Sequence, residues 1–183
     1  MNTTTIKKKI IAFGASNSRQ SINKTLATFA ANQLNEIDIK ILDLNDFEMP
    51  IYSIDRENEN GIHTLAQQFK QEIQDADGIL ISFAEHNGAY STAFKNIYDW
   101  VSRMAPDVWE GKPMFLMATS PGEWGGKSVL TMAYERFSRR NSNTIVTFSL
   151  PSFSKKFSIE LGIVNDGLKQ EFDSKLALFS AAL

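Results

Sequence analysis

Five short runs rich in β-branched and large apolar residues alternate with segments whose apolar residues recur at helical spacing, and this alternation most restricts the folds open to the chain. The runs lie near Lys8–Phe13, Asp38–Leu42, Gly78–Phe83, Pro113–Ala118 and Asn143–Phe148. They are short and apolar, as buried parallel strands are. Between them, Ser21–Leu34 places Leu26, Ala27, Ala30 and Leu34 at helical spacing, and Thr64–Gln74 places Leu65, Phe69 and Ile73 in the same way. Thr92–Arg103 has Phe94, Ile97, Tyr98 and Val101 on one face, Lys127–Arg139 has Leu130, Ala133, Tyr134 and Phe137, and a last helix is expected over Leu168–Ala181. Strands alternating with amphipathic helices imply an α/β architecture, a parallel sheet with helices packed on it. The polar stretch Leu44–Gly61, which contains Pro50, reads as a long excursion after the second strand.

The chain of 183 residues is long enough to bury a full core and is expected to form a single domain over residues 1–183. Its formal net charge of −2 provides no general attraction for nucleic acid or anionic membranes, so neither is expected as a partner. There is no cysteine, which excludes a disulfide framework, a thiol nucleophile, a thiolate metal site and an iron–sulfur cluster. Any redox chemistry must therefore come from a bound cofactor. Only two histidines are present, too few for a His-rich metal site, and no metal is expected. Met1–Lys9 is polar and basic, and the apolar run after it is too short for a signal segment or a membrane span. A cytoplasmic location is the expectation.

Gly14-Ala15-Ser16-Asn17-Ser18-Arg19-Gln20-Ser21-Ile22-Asn23 joins the first expected strand to the first expected helix. Free N–H groups and the positive end of the helix dipole make such a start an anion site, and Ser and Asn side chains add donors. The stretch lacks both G-x-x-x-x-G-K-[ST] and G-x-G-x-x-G. No Lys stands ready for β/γ-phosphates and no glycine pair admits a pyrophosphate, so a monophosphate fits best. The same residue types also favour helix N-caps.

Five alternating units and a phosphate-type first loop favour a flavodoxin-like doubly wound sheet with strand order 2-1-3-4-5. Ligands on such sheets sit outside the carboxyl ends of the strands, at the switch point between the first and third. The loop after the third strand reads Ala84-Glu85-His86-Asn87-Gly88-Ala89-Tyr90-Ser91. The loop after the fourth reads Thr119-Ser120-Pro121-Gly122-Glu123-Trp124-Gly125-Gly126-Lys127, whose glycines suggest positive φ or close approach of backbone to a flat ligand.

From Lys8 to about Phe148 these segments resemble the NADPH-dependent FMN reductase family, which includes quinone, azo and chromate reductases. Gly14, Ser21, Asn23, Leu26 and Ala27 match the family's first signature, G-S-x-R-x-x-S-x-N-x-x-L-A, with one inserted residue. Glu85, Asn87, Lys95, Asn96, Asp99 and Trp100 match its second, P-E-Y-N-x-S-x-x-x-x-L-K-N-x-x-D-W. Ser120, Gly122, Gly125 and Gly126 match its third, S-x-G-x-x-G-G. Ala84 stands where the family usually has proline, and His86 where it usually has tyrosine.

The resemblance implies FMN held noncovalently. Its phosphate would lie on Ser16, Ser18, Arg19, Ser21, Ile22 and Asn23. Its ring would lie against Ala84, Glu85, His86, Asn87, Gly88, Ser120, Gly122, Gly125 and Gly126. It further implies NADPH or NADH as donor, a small-molecule acceptor, a homodimer or homotetramer, and no side chain acting as a dedicated catalytic residue. A flavodoxin-type electron carrier and a non-catalytic flavin-binding protein are the competing readings; a stable one-electron-reduced form would mark the carrier. Lys95, Asn96, Asp99 and Trp100 share one helix, where a structural role is favoured, and Arg136, Arg139 and Arg140 suit a helix end. His63 reads as a surface loop residue, and Phe47, Tyr52 and Trp124 as loop aromatics able to line a pocket.

Overall fold

The computed structural model describes residues 7–183; residues 1–6 of the polar Met1–Lys9 stretch lie outside the described part. Five strands, β1 (Lys9–Ala15), β2 (Asp38–Ile41), β3 (Gly78–Phe83), β4 (Met114–Thr119) and β5 (Ile145–Leu150), form one sheet. Every pairing in it is parallel and the order is β2-β1-β3-β4-β5, as the alternation predicts. β3 and β4 are buried along their whole length, whereas β2 and β5, at the edges, alternate in burial. This is the pattern expected where central strands are covered on both faces.

Among the described residues, six helices longer than one turn frame the sheet, α1 (Ile22–Asn32), α2 (Ile54–Asn60), α3 (Thr64–Gln74), α4 (Thr92–Val101), α5 (Lys127–Ser138) and α6 (Asp166–Ala181), and a single helical turn lies at Phe153–Lys156. Neighbouring side chains on a strand point to opposite faces, so β1 sends Ile10 and Ala12 to one core and Ile11 and Phe13 to the other. The first core joins Leu26, Ala27 and Ala30 of α1 to Phe172, Leu176 and Phe179 of α6. The second joins Phe69 and Ile73 of α3, Phe94, Ile97 and Trp100 of α4, and Val129, Ala133 and Phe137 of α5. Helices thus cover both faces, and the strand ends that carry the three loops are left at one rim.

Several boundaries differ from the sequence reading. β1 continues through Gly14 and Ala15, and a Cβ on Gly14 would lie 2.4 Å from the Lys24 nitrogen, so only glycine lets α1 pack this closely. β5 begins at Ile145 because asparagine side chains hold the preceding turn: Asn141 Oδ1 accepts from Asn143 N–H at 2.8 Å, and Asn143 Oδ1 from Thr144 N–H at 2.7 Å. α6 starts two residues early, capped by Asn165, whose Oδ1 accepts from Leu168 N–H at 3.0 Å. The Leu44–Gly61 excursion is structured: a 3₁₀ turn at Leu44–Phe47 follows Asp43, and α2 follows Ser53 and stops at Gly61 with φ 72°.

Candidate functional site

The first loop leaves β1 at Ala15 and becomes α1 at Ile22. Ser21 is the N-cap, its hydroxyl accepting from Lys24 N–H at 3.2 Å, and Ser16 Oγ accepts from Ser18 N–H at 3.2 Å. Ile22 and Asn23 occupy the first turn, where backbone N–H groups have no acceptor within the helix. Capping and anion-binding geometry therefore coexist here.

Asn23 is turned inward. Its Oδ1 accepts from the Ser82 hydroxyl at 2.7 Å and from Thr119 N–H at 3.0 Å, while its Nδ2 donates to Thr119 O at 3.1 Å. The side chain thereby ties α1 to the carboxyl ends of β3 and β4. Its side-chain acceptor and one donor are committed to protein, leaving the backbone N–H as its principal means of reaching a ligand in the loop. Thr119 extends the tie by donating its hydroxyl to Leu150 O at 2.7 Å, at the end of β5.

The second loop is a two-residue hairpin in which Glu85–His86 pairs antiparallel with Ala89–Tyr90. Asn87 (φ 53°) and Gly88 (φ 76°) supply the two left-handed residues that the turn requires. Ser91 then caps α4, accepting from Phe94 N–H at 3.3 Å and donating its hydroxyl to Ala15 O at 2.7 Å. The hairpin base is thus fixed to the start of the first loop. Tyr90 packs on Phe83 and Phe94; burial pushes its hydroxyl well above the ordinary phenol range.

The third loop enters α5 through Gly126, which has φ 72° and no side chain to cap the helix. Glu85 supplies the missing acceptor from the neighbouring loop, its Oε2 taking the Val129 N–H at 3.0 Å. A Cβ on Gly125 would meet Ser149 Oγ at 2.5 Å, and one on Gly126 would meet Ala118 Cβ at 2.9 Å. These two glycines seat the loop against β4 and β5.

Two cavities open at this rim. One, of about 220 Å³, draws Ser16, Ser18, Ser21, Ile22 and Asn23 from the first loop, Ala84, Glu85 and His86 from the second, and Ser120 from the third. Gln20, Thr119 and Pro121, which the sequence reading did not single out, complete its wall. The other, of about 240 Å³, lies beneath the excursion and takes in Phe47, Met49, Ile51 and Asn96. His86 borders both. Arg19 faces a separate groove between α1 and the Phe157–Ile163 region, and Asn87, Gly88, Gly122, Gly125 and Gly126 are outside the lining of the 220 Å³ cavity.

The excursion is fastened by the helix that the second signature enters. Asn96 Oδ1 accepts from Tyr52 N–H at 2.8 Å, its Nδ2 donates to Met49 O at 3.0 Å, and Trp100 Nε1 donates to Pro50 O at 2.8 Å. Lys95 and Asp99 form the expected pair at 2.7 Å. Of the loop aromatics, Phe47 lines the second cavity. Tyr52 instead packs edge-on against Trp100 and donates its hydroxyl to Glu57 at 2.8 Å, while Trp124 is exposed and donates to Ser128 Oγ at 2.9 Å. His63 is the N-cap of α3, its Nδ1 accepting from Leu65 N–H at 3.2 Å. Beside the first loop, Lys24 lies 2.5 Å from Asp43 and, with the Asn45 N–H, holds that carboxyl down to about 2. Among the described residues no cluster of His, Asp and Glu could hold a metal ion.

Sheet order and switch-point loops define a flavodoxin-like doubly wound protein with a cavity at the carboxyl edge of its sheet. The model of the NADPH-dependent FMN reductase family matches residues 8–154, and the chain belongs to that family. A 2-hydroxy-1,4-benzoquinone reductase from a Burkholderia species is 36% identical over 119 residues, 64% of this chain and 63% of that protein. An NADPH:quinone oxidoreductase of Arabidopsis thaliana is 28% identical over 169 residues, 89% of this chain and 81% of that one. The match to the Burkholderia protein thus spans just under two thirds of its length. Among solved structures, a flavoenzyme NAD(P)H:(acceptor) oxidoreductase from Paracoccus denitrificans superposes with a TM-score of 0.74 at 19% identity, covering 97% of each chain, which shows the shared fold. No helix among the described residues is long and apolar enough to cross a membrane.

Proposed function

We propose that this protein is an NAD(P)H-dependent FMN oxidoreductase that reduces a small quinone-class acceptor. The observation that supports this most is the 220 Å³ cavity, where all three switch-point loops meet beside the start of α1. Its donor chemistry suits a phosphate: Ser16, Ser18, Gln20, Ser21, Ile22 and Asn23 bring hydroxyl, amide and N–H groups but no carboxylate. Glu85 is the acidic residue in the lining, and its carboxylate is engaged by Val129 N–H.

In this reading, Ser16, Ser18 and Ser21 and the N–H groups of Ile22 and Asn23 hold the phosphate. The Glu85–His86 backbone, Ser120 and Pro121 orient the ring. Held by these residues, FMN would supply the hydride and electron-transfer chemistry between a nicotinamide donor and the acceptor. The chain's own work is to anchor, orient and supply backbone donors to negative charge on the ring. The acceptor fits the adjoining 240 Å³ cavity, whose wall includes Met49, Ile51 and Ile97 as apolar surface and Asn96 as a polar one. A cytoplasmic homodimer or homotetramer belongs to the same reading and rests on the family resemblance.

The test is uptake of FMN by the purified protein, followed by steady-state oxidation of NADPH and NADH with a benzoquinone. Stoichiometric FMN binding with quinone-dependent turnover is expected. Failure to take up FMN would overturn the reading, and FMN binding with no turnover would leave a non-catalytic flavin protein.

A further inference from the structure

We propose that His86 is the acid that delivers a proton to the quinone oxygen, a role that rests on the proposed oxidoreductase activity. Converting a quinone to a hydroquinone takes up two electrons and two protons. A hydride brings both electrons and one proton, and an acid placed close to the oxygen on which negative charge develops supplies the second proton faster than water does.

The position of His86 suits that acid. It borders both the cavity assigned to FMN and the one assigned to the acceptor. Its backbone is held by the Glu85–Tyr90 and His86–Ala89 pairing and by the left-handed Asn87-Gly88 turn, so the side chain is presented from a defined point. The ring is exposed and has no hydrogen-bond partner among the described residues, which leaves its N–H free for a ligand. The other charged side chains lining these cavities are Glu85, engaged by Val129 N–H, and Glu48 of the excursion. Imidazolium can give up a ring proton and the ring can take one back from water, which suits it to repeated proton delivery. In the step, the His86 N–H bond breaks as an O–H bond forms on the reduced quinone, leaving neutral imidazole. The exposed ring then regains a proton from water.

Ferricyanide separates this step from all others because it accepts an electron and no proton. FMN-loaded wild type, His86→Gln and His86→Tyr are compared in turnover with benzoquinone and with ferricyanide across pH 5–9. Ferricyanide turnover reports any general damage from the substitution. The quinone-to-ferricyanide ratio is expected to fall a further tenfold or so in His86→Gln, less than for an acid sequestered from water. Any dependence of that ratio on pH in wild type is expected to disappear in both variants.

A second readout needs no FMN. With only two histidines in the chain, the ring protons of His86 are resolved by NMR against the capping His63. Binding of 4-nitrophenolate, an aromatic oxyanion, to the cofactor-free protein is expected to shift the ring-proton resonances of His86 and leave those of His63 in place. If 4-nitrophenolate leaves the His86 resonances unchanged, or if His86→Gln retains the wild-type acceptor ratio and pH profile, the acid role is wrong while the oxidoreductase reading stands. Absence of FMN uptake and of turnover with either acceptor would overturn both.

Discussion

The Glu85 carboxylate, on the hairpin that follows β3, accepts the Val129 N–H of α5 at 3.0 Å and so caps a helix that begins 42 residues later in the chain, at Lys127. Gly126 has no side chain with which to do this, and its replacement is barred by φ 72° and by the 2.9 Å approach to Ala118 Cβ. One carboxylate therefore joins the second and third loops and complements the positive end of α5.

Replacing Glu85 by alanine should remove that cap and cost about 1 kcal/mol of folding stability. Urea unfolding of the cofactor-free protein measures the loss, and Glu85→Gln, which keeps an acceptor, should recover a large part of it. FMN affinity should weaken in the alanine variant as the two loops separate. Equal midpoints for wild type and Glu85→Ala would show that the contact stabilises nothing.

Asn23 presents a sharper case because its amide serves three partners within the fold. Asn23→Ala leaves the Ser82 hydroxyl and the Thr119 N–H and C=O without it in a buried setting, where an unsatisfied group costs about 1–3 kcal/mol. A destabilisation of about 3 kcal/mol is expected by urea titration, larger than for any serine of the first loop. A variant as stable as wild type would mean that the network closes through other partners.

Strand count, sheet order and most of the helices were legible in the sequence because buried strands and amphipathic helices have distinct periods. α2 was not, since none of its seven residues is fully buried and no apolar stripe marks it. Its signals were local: Ser53 before it, Asp55 and Glu57 in its first turn, and Gly61 after it. The hairpin at Glu85–Tyr90 has strands of two residues, too short for any period, although Asn87-Gly88 is the dipeptide that its turn demands. The three loops could be placed at one rim from topology alone. The inward turn of Asn23 and the capping by Glu85 could not, because their partners are 96 and 44 residues away and only the folded geometry brings them together.

The Lys24–Asp43 pair makes stability depend on pH in acid. The Asp43 carboxyl is held at about 2 in the folded protein against 3.8 for an ordinary aspartate. A depressed carboxylate stabilises the fold fully above its unfolded value and loses that contribution as pH falls from 3.8 toward 2. Both side chains are about one third exposed, 36% and 33%, so solvent screening reduces the gain. We expect about 1 kcal/mol near neutral pH. Urea unfolding of wild type and Asp43→Asn should differ by that amount near neutrality and converge in strong acid. A difference that grows on acidification would contradict the assignment.

Ser18 tests the phosphate cradle with the least disturbance of the fold, because it is exposed and its hydroxyl donates to nothing among the described residues. Ser18→Asp places a negative charge beside the start of α1, in the wall of the 220 Å³ cavity. Repulsion between that carboxylate and a phosphate should weaken FMN binding at least tenfold, or about 1.4 kcal/mol. Riboflavin, which shares the ring system and lacks the phosphate, should bind wild type and Ser18→Asp equally. Fluorescence titration with both flavins therefore distinguishes a phosphate site from a general defect in the pocket. Equal weakening for the two would place the phosphate elsewhere, whereas selective loss of FMN would locate its charge at the junction of β1 and α1.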